Sequence, residues 1–261
     1  MRFPKSVRTA GQRAAALLSI LLTGVVVTGG LIAVPYMLIA APVGDYSLAA
    51  LEPASQRTLV LHDNSGNVFA QRGGCVAEPV SLEEVPQHFI DALLSMEDRR
   101  FYYHFGIDPI GLARAAMENQ AASRIVQGGS TITQQLVKYS LLSSDRTMER
   151  KQKEAWLALS LELRLTKDEI LERYLSSTYF GQGCFGLRAA AKTYFDTTVS
   201  ELTLPQSAYL VALLKSPTAF NRDAEAAKAR AEAVLNAMVS NRKLSAAARK
   251  DLVPVLPEIE N

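Results

Sequence analysis

The stretch that decides the fold runs from Met96 to Asp108 and reads Met-Glu-Asp-Arg-Arg-Phe-Tyr-Tyr-His-Phe-Gly-Ile-Asp. It follows a segment that is predicted to be a helix beginning near Pro86, a residue type favoured in a first helical turn. The apolar residues of this helix recur at helical spacing and are Phe89, Ile90, Leu93 and Leu94. Glu97 lies four residues after Leu93, so it extends the apolar face of the helix.

A carboxylate on an apolar helix face is an unusual placement, and Glu97 has two interpretations. Burial disfavours the charged form of a carboxyl group, which is how proteins make a glutamate that accepts a proton near neutral pH. In the alternative, Glu97 ends a frayed helix and pairs with Arg99 or Arg100 on the surface. This stretch alone leaves both interpretations open.

The N-terminal part of the chain predicts a membrane anchor. The chain has 261 residues, of which 48% are hydrophobic, and residues 14–44 carry no charge. Residues 14–41 are long and apolar enough to cross a bilayer as a helix, and too long for the apolar region of a cleaved signal peptide. The basic residues that precede this run are Arg2, Lys5, Arg8 and Arg13. Their position predicts a cytoplasmic N-terminus, with the chain beyond Asp45 outside.

Charge and cysteine content exclude several classes of protein. The part that follows the anchor has 24 basic and 26 acidic residues, because four of the 28 basic residues precede the anchor. A net charge of about −2 excludes a general nucleic-acid binder. Cys75 and Cys184 form neither a disulfide framework nor a metal-ligand set. In an oxidising compartment the two could pair, which their sequence positions alone do not decide.

Secondary-structure signals predict a short hairpin followed by helices. Residues 58–61 and 68–70 are apolar runs on either side of a turn in which Gly66 supplies a positive backbone angle. From Leu82 onward the chain is predicted to be helical, with an alanine-rich helix at 224–239. Three capping boxes open apolar helices at Thr131 and Gln134, Thr166 and Glu169, and Thr203 and Gln206.

A second motif runs from Gln127 to Lys138 and reads Gln-Gly-Gly-Ser-Thr-Ile-Thr-Gln-Gln-Leu-Val-Lys. Gly128 and Gly129 lead into a capped helix, which leaves backbone N–H groups at the positive end of the helix dipole. That arrangement suits an anion, phosphate above all. Taken alone, the motif is also typical of an ordinary loop and cap.

A third motif lies between Arg146 and Glu154. On a helix, Arg150, Lys151 and Glu154 share a face that Leu157 and Leu161 continue inward. A second inward carboxylate would therefore be flanked by cations able to neutralise a diphosphate. The alternative is a solvated first turn in which Glu149 and Lys153 form a surface pair.

These three segments, in this order, resemble the peptidoglycan glycosyltransferases of glycosyltransferase family 51. Such proteins occur as monofunctional enzymes and as the first domain of class A penicillin-binding proteins. The motif residues in this chain are Glu97, Asp98, Phe101, His104 and Gly106, then Gly128 to Gln135 with Lys138, then Arg150, Lys151 and Glu154. A fourth element lies at Ile170 to Leu175 and a fifth at Arg188 to Phe195, so the resemblance spans roughly residues 55–240.

The resemblance implies a mainly α fold, namely a lysozyme-like helical domain of two lobes with a small N-terminal β-hairpin and one N-terminal transmembrane helix. The predicted segments are a cytoplasmic basic tail at 1–13, the anchor at 14–41, a linker and hairpin at 42–80, the glycosyltransferase domain at 81–240 and a C-terminal tail at 241–261. The expected location is the bacterial cytoplasmic (inner) membrane, which the chain crosses once, with the catalytic domain on the periplasmic face.

The implied activity is polymerisation of lipid II into β-1,4-linked glycan strands, with inversion, during peptidoglycan and cell-wall biogenesis. Glu97 would be the general base, and Glu154 would assist the departing diphosphate, directly or through a divalent cation, Mg²⁺ or Mn²⁺. The substrate would be bound by Ser130, Gln134, Gln135, Lys138, Arg146, Arg150, Lys151 and Lys153. The implied partners are lipid II, the nascent glycan strand, the membrane and other cell-wall synthesis proteins, but no nucleic acid. Which residues would hold such a cation stays open.

Some residues depart from the family pattern or have a second interpretation. Ser176, Gln206 and the pair Asn221-Arg222 replace residues that are usual in the family, which affects the expected packing of the second lobe. His104 is predicted to be structural, and Glu172 to orient other groups or to pair within the core.

Two other classes of function stay open at this point. One is a lytic enzyme on a lysozyme-like fold, and the other is a non-catalytic, membrane-anchored cell-wall scaffold. The basic cluster argues against the first, and the presence of both glutamates argues against the second. Whether the chain is a monofunctional enzyme or part of a longer bifunctional protein also stays open.

Overall fold

The computed structural model describes residues 59–63, 65, 68–72, 75, 78–123, 128–141 and 147–257. The predicted anchor at 14–41, Gly66, Gln127 and Arg146 lie outside these ranges. Within them, no helix combines the length and the apolar character that crossing a membrane requires.

The predicted N-terminal hairpin is confirmed. Strand β1, Leu59–His62, pairs antiparallel with strand β2, Val68–Arg72. Leu59 is opposite Arg72, and the register shifts between Leu61 and His62, as at a β-bulge.

The rest of the described chain is mainly helical, as the sequence predicted. The α-helices are α1 Gln87–Glu97, α2 Pro109–Ala121, α3 Ile132–Leu141, α4 Met148–Glu162, α5 Lys167–Ser177, α6 Leu187–Phe195, α7 Leu204–Leu213, α8 Pro217–Phe220, α9 Ala224–Ser240 and α10 Ala246–Lys250. Short 3₁₀ helices occur at Leu82–Glu84, Phe101–Tyr103 and Val199–Glu201.

The helices pack in two groups that share one hydrophobic core. Helices α1, α7 and α9 pack against one another, and α3 packs against both α4 and α5. The alanine-rich sequence of α9 makes the first group close, because small side chains let helix backbones approach. Its buried residues repeat at helical spacing and are Ala227, Ala231, Val234, Leu235 and Met238.

The three predicted capping boxes are present and fix where α3, α5 and α7 begin. In the first, the Thr131 N–H donates to Gln134 Oε1 (3.0 Å), and the Gln134 N–H donates to Thr131 Oγ1 (3.1 Å). The other two boxes join Thr166 to Glu169 and Thr203 to Gln206. Each box satisfies two N–H groups that a helix start would leave without partners.

A second hairpin separates α5 from α6. Strands β3, Tyr179–Gly181, and β4, Cys184–Phe185, pair antiparallel where the sequence has its cluster of glycines. Cys184 forms a disulfide with Cys75, a pairing that the sequence left undecided. The Phe185 N–H also donates to the Cys75 carbonyl (3.2 Å), so Cys75 is bound to this hairpin by a disulfide and by a hydrogen bond.

The residues that depart from the family pattern make satisfied contacts. Ser176 Oγ accepts a buried hydrogen bond from the Val80 N–H (3.0 Å). Asn221 Nδ2 donates to the Tyr194 hydroxyl oxygen (2.8 Å), and Gln206 completes a capping box. Around Ser176, Gln206 and Asn221, where the sequence put the packing in doubt, the polar side chains are therefore hydrogen-bonded.

Gly106 brings the loop after α1 into contact with the backbone of α4. Its φ is +74°, and an added Cβ would lie 2.9 Å from the carbonyl carbon and oxygen of Ala158. The Thr131 hydroxyl donates to the Gly106 carbonyl (2.6 Å). A side chain at position 106 would therefore strain the backbone and push α4 away.

Candidate active site

Glu97 is the last residue of α1, and its side chain is 15% exposed. Of the predicted apolar face, Phe89, Ile90 and Leu93 are buried and Leu94 is half-buried. The carboxylate therefore lies at the edge of the core, where it is shielded from most solvent and still reaches a cleft.

Gln135 and Tyr174 hold one oxygen of Glu97. Gln135 Nε2 donates to Glu97 Oε2 (2.9 Å), and the Tyr174 hydroxyl donates to Gln135 Oε1 (3.1 Å). Burial, followed by the charge of Glu97, raises the pKa of Tyr174 well above its ordinary value. Tyr174 therefore stays protonated and fixes the amide orientation in which Gln135 donates to Glu97.

Asp98 connects α1 to the beginning of α3. His104 Nε2 lies 2.9 Å from Asp98 Oδ2, and the Ile132 N–H donates to the same oxygen (3.0 Å). Both side chains are 3% exposed. His104, which the sequence predicted to be structural, is thus joined to Asp98 by a buried hydrogen bond, and Asp98 caps the helix that carries Gln135.

We expect Asp98→Ala to lower the free energy of unfolding by about 3 kcal/mol, because two buried donors would lose their acceptor. Denaturant titration of the purified protein, followed by circular dichroism, measures this change. Asp251→Ala is the control, since Asp251 is exposed. Equal losses in the two variants would contradict a bridging role for Asp98.

The second motif lies at the N-terminal end of α3. Ser130 is half-buried, and its Oγ accepts a hydrogen bond from Lys151 Nζ (2.9 Å). Gln134 is buried and its side-chain oxygen belongs to the capping box, so this residue has a folding role. Lys138 is exposed and its ammonium group lies 5.1 Å from the centre of the Tyr139 ring.

The third motif lies on α4, as predicted, with Glu154 buried and its side chain 2% exposed. Arg150 Nη1 donates to Glu154 Oε2 (2.9 Å), while Lys151 Nζ donates to Glu154 Oε1. Lys151 thus joins the Glu154 carboxylate to Ser130 of the second motif. Burial of an unpaired carboxylate is costly, so the pairing with Arg150 and Lys151 stabilises the buried Glu154.

Two further residues that the sequence singled out have partners away from this cluster. Lys153 Nζ lies 2.7 Å from Glu149 Oε1 at an exposed position, which is the surface pair considered from the sequence. Glu172 Oε1 accepts a hydrogen bond from the Leu82 N–H (2.9 Å), so it holds the beginning of the first 3₁₀ helix.

A cleft of about 370 Å³ collects residues of the first two motifs. Glu97, Ser130 and Gln135 line it, and Ser130 connects it to Lys151 and Glu154. Two cationic residues that sequence reasoning missed also line the cleft, Lys215 and Arg230. Arg230 belongs to the alanine-rich helix α9, where no local motif marked it.

No group of three or more His, Cys, Asp or Glu side chains in the described ranges is arranged to hold a metal ion. Both oxygens of Glu154 already accept hydrogen bonds from cationic side chains.

Comparison with known proteins gives one family and several relatives. A family model described as Transglycosylase matches residues 65–239. Penicillin-binding protein 1A of Aquifex aeolicus (strain VF5) is 47% identical over 161 residues, which cover 62% of this chain and 22% of that protein. Penicillin-binding protein 1A of Escherichia coli (strain K12) is 42% identical over 186 residues, which cover 70% and 22%.

A crystal structure of penicillin-binding protein 1A from Haemophilus influenzae aligns with 78% of this chain and 22% of that chain, at 20% identity and a TM-score of 0.45. The present chain thus spans about a fifth of the length of the curated relatives it matches.

Proposed function

This chain belongs to the transglycosylase family, and from that premise we propose that it is a peptidoglycan glycosyltransferase that polymerises lipid II. The observation that carries the proposal is the cleft that Glu97 and Ser130 line together. Ser130 accepts a hydrogen bond from Lys151, which also binds Glu154, so a shielded carboxylate lines the cleft and a cationic group lies one hydrogen bond behind its wall.

In the proposed reaction, Glu97 removes the proton from the 4-hydroxyl of the acceptor sugar. The hydroxyl oxygen attacks the anomeric carbon of the donor, and the bond from that carbon to the polyprenyl diphosphate breaks with inversion. A hydroxyl is a poor nucleophile until a base takes its proton, and a positioned carboxylate supplies that base. The hydrogen bond from Gln135 supports this role, because it fixes one oxygen of Glu97.

The departing diphosphate takes the electron pair and gains negative charge. Cations that are already in place stabilise such charge at low reorganisation cost. Lys151 is suited to stabilise this negative charge, because hydrogen bonds to Ser130 and to the buried Glu154 fix the position of its ammonium group. Arg150 takes the other oxygen of Glu154. We propose that Glu154 acts by holding these two cations in position.

Glu154 was expected to act directly or through a divalent cation such as Mg²⁺ or Mn²⁺. Its surroundings do not fit a cation held by the protein, because Arg150 and Lys151 already take both of its oxygens. We therefore derive no step through a metal ion. A requirement for added Mg²⁺ in the polymerisation assay would mean that the diphosphate itself brings the cation.

The remaining parts of the proposal concern location and architecture. Residues 14–41 would anchor the chain in the bacterial cytoplasmic membrane, with the domain on the periplasmic face. A substrate with a long polyprenyl chain stays in the bilayer, so an anchored enzyme remains within reach of it. The two helix groups, α1, α7 and α9, and α3, α4 and α5, would form the two lobes of a lysozyme-like domain.

Incubation of the purified, detergent-solubilised protein with labelled lipid II tests the proposal. Products are separated by size before and after muramidase digestion, with and without Mg²⁺. Muramidase-sensitive polymer supports the glycosyltransferase. Binding of lipid II without any polymer would favour the non-catalytic scaffold, and cleavage of preformed glycan would favour a lytic enzyme.

We expect Tyr174→Phe to lower the rate of polymerisation about fivefold, because Gln135 loses the hydrogen bond that orients its amide. The Tyr194→Phe variant is a control outside the cleft, since the Tyr194 hydroxyl donates to the Phe180 carbonyl (2.9 Å) and accepts from Asn221 Nδ2 (2.8 Å). Tyr174→Phe should lose about 1 kcal/mol of stability and Tyr194→Phe at least as much, because its hydroxyl has two partners. If the two also lost the same activity, Tyr174 would have no specific link to Glu97.

A further inference from the structure

Arg230 approaches the carboxylate oxygen of Glu97 that Gln135 does not bind. Its Nη2 lies 3.9 Å from Glu97 Oε1, whereas Gln135 binds Glu97 Oε2. The two side chains of this pair are 18% and 15% exposed. Each oxygen of the carboxylate therefore has a partner from a different helix, Gln135 from α3 and Arg230 from α9.

The guanidinium group of Arg230 is only partly satisfied. Its Nε is buried without a hydrogen-bond partner. Burial lowers the pKa of Arg230, and the charge of Glu97 opposes that shift. Of the acidic residues in the described ranges, Glu97 is the one within ion-pair distance of Arg230. A mostly buried guanidinium group is costly unless an opposite charge lies near it, and Glu97 supplies that charge.

We propose that Arg230 is a positioning residue whose positive charge holds the Glu97 carboxylate in the cleft, an inference that rests on the proposed function of Glu97 as a base. At 3.9 Å the contact is too long for a hydrogen bond, so Arg230 acts through its charge. Gln135 fixes the direction of one oxygen, and Arg230 stabilises negative charge on the other.

Other titratable groups face Glu97 from the elements around it. Tyr139 and Tyr174 interact with its charge from α3 and α5. Asp98 follows it in sequence, and Glu118 and Lys215 line the same cleft from α2 and from the segment after α7. Arg230 is the cation that lies within ion-pair distance of Glu97 in the described ranges.

A measurement without substrate tests the pairing directly. A water-soluble carbodiimide modifies protonated carboxyl groups, and mass spectrometry reports the modification of Glu97 as a function of pH. In Arg230→Gln we expect the midpoint of Glu97 modification to move to higher pH by about one unit, because a positive charge about 4 Å away is lost in a partly wet cleft. Arg230→Lys should move it less, since it keeps the charge.

Lys228→Gln is the matched control, because Lys228 lies on the same helix two residues away. It should leave the midpoint unchanged. If Arg230→Gln left the midpoint at the wild-type value, or if Lys228→Gln moved it equally, the proposal would be overturned.

Kinetics with lipid II separate a positioning role from substrate binding. We expect Arg230→Gln to lower kcat about tenfold or more, to leave KM within about twofold and to move the acidic limb of the pH profile upward. Arg230→Lys should recover part of kcat. A raised KM with unchanged kcat and an unchanged pH profile would overturn the proposal and make Arg230 a substrate ligand.

The two measurements also distinguish this proposal from the proposed function. A shifted modification midpoint in a protein whose wild type makes no polymer would support the pairing of Arg230 with Glu97 and would disprove the glycosyltransferase activity. An unshifted midpoint in a protein that polymerises lipid II would disprove the pairing alone.

Discussion

Glu97→Gln is expected to abolish measurable polymerisation of lipid II, with a loss of about 1,000-fold in rate. The substituted amide cannot accept the proton of the acceptor hydroxyl. It can still accept the hydrogen bond from Gln135, so the fold around α1 should be retained. The measurement is the initial rate of formation of muramidase-sensitive polymer, together with the thermal unfolding of each protein.

Glu225→Gln is the control for this prediction. It makes the same change of charge at an exposed position in the first turn of α9. We expect its rate to match the wild type. A Glu97→Gln protein that is folded and retains more than about a tenth of the wild-type rate would show that another group removes the proton.

Glu154→Gln should lower both activity and stability. Arg150 and Lys151 would lose their shared counter-charge, so Lys151 would no longer be held beside Ser130. We expect a loss of about 100-fold in rate. The free energy of unfolding should fall by about 2 kcal/mol, which is less than a fully buried pair would lose because the Lys151 side chain is 42% exposed.

A second substitution distinguishes the two effects of Glu154. Lys151→Met keeps most of the side-chain volume and removes the cation, and it leaves Glu154 paired with Arg150. If the cation acts on the departing diphosphate, Lys151→Met loses activity with a smaller loss of stability than Glu154→Gln. A Lys151→Met protein as active as the wild type would refute the leaving-group role of this cluster.

Local sequence patterns predicted the helices and their starts well. Capping boxes depend on residues three apart in one segment, so Thr131 with Gln134 and Thr166 with Glu169 could be recognised without tertiary information. The inward direction of Glu154 was equally local, because Leu157 and Leu161 follow it at helical spacing.

Partners that are distant in sequence could not be predicted in this way. Gln135 was expected to bind substrate, and the structure shows that its amide binds Glu97 and Tyr174. Arg230 lies 133 positions after Glu97, in the predicted alanine-rich helix, where no motif marked it. Only the packing of α9 against α1 brings the two side chains together.

The disulfide shows the same limit. Cys75 and Cys184 are separated by 109 positions, and their pairing depends on how residue 75 returns to the β3–β4 hairpin. Cys75 lies outside every predicted helix and strand, so its position beside Cys184 could not be predicted from the sequence. An oxidising compartment would permit the two cysteines to pair, but only the fold brings them close enough to form the bond.

The close backbone contact that Gly106 allows has a consequence for ligand design. The loop after Glu97 rests on the backbone of Ala158, one helical turn beyond Glu154, so a close backbone contact links the segments that carry the two acidic residues. A molecule made to contact both Glu97 and the exposed part of Lys151, the partner of Glu154, would meet a preformed surface. Cyclisation of such an inhibitor should therefore improve affinity, since neither partner would have to give up conformational freedom on binding.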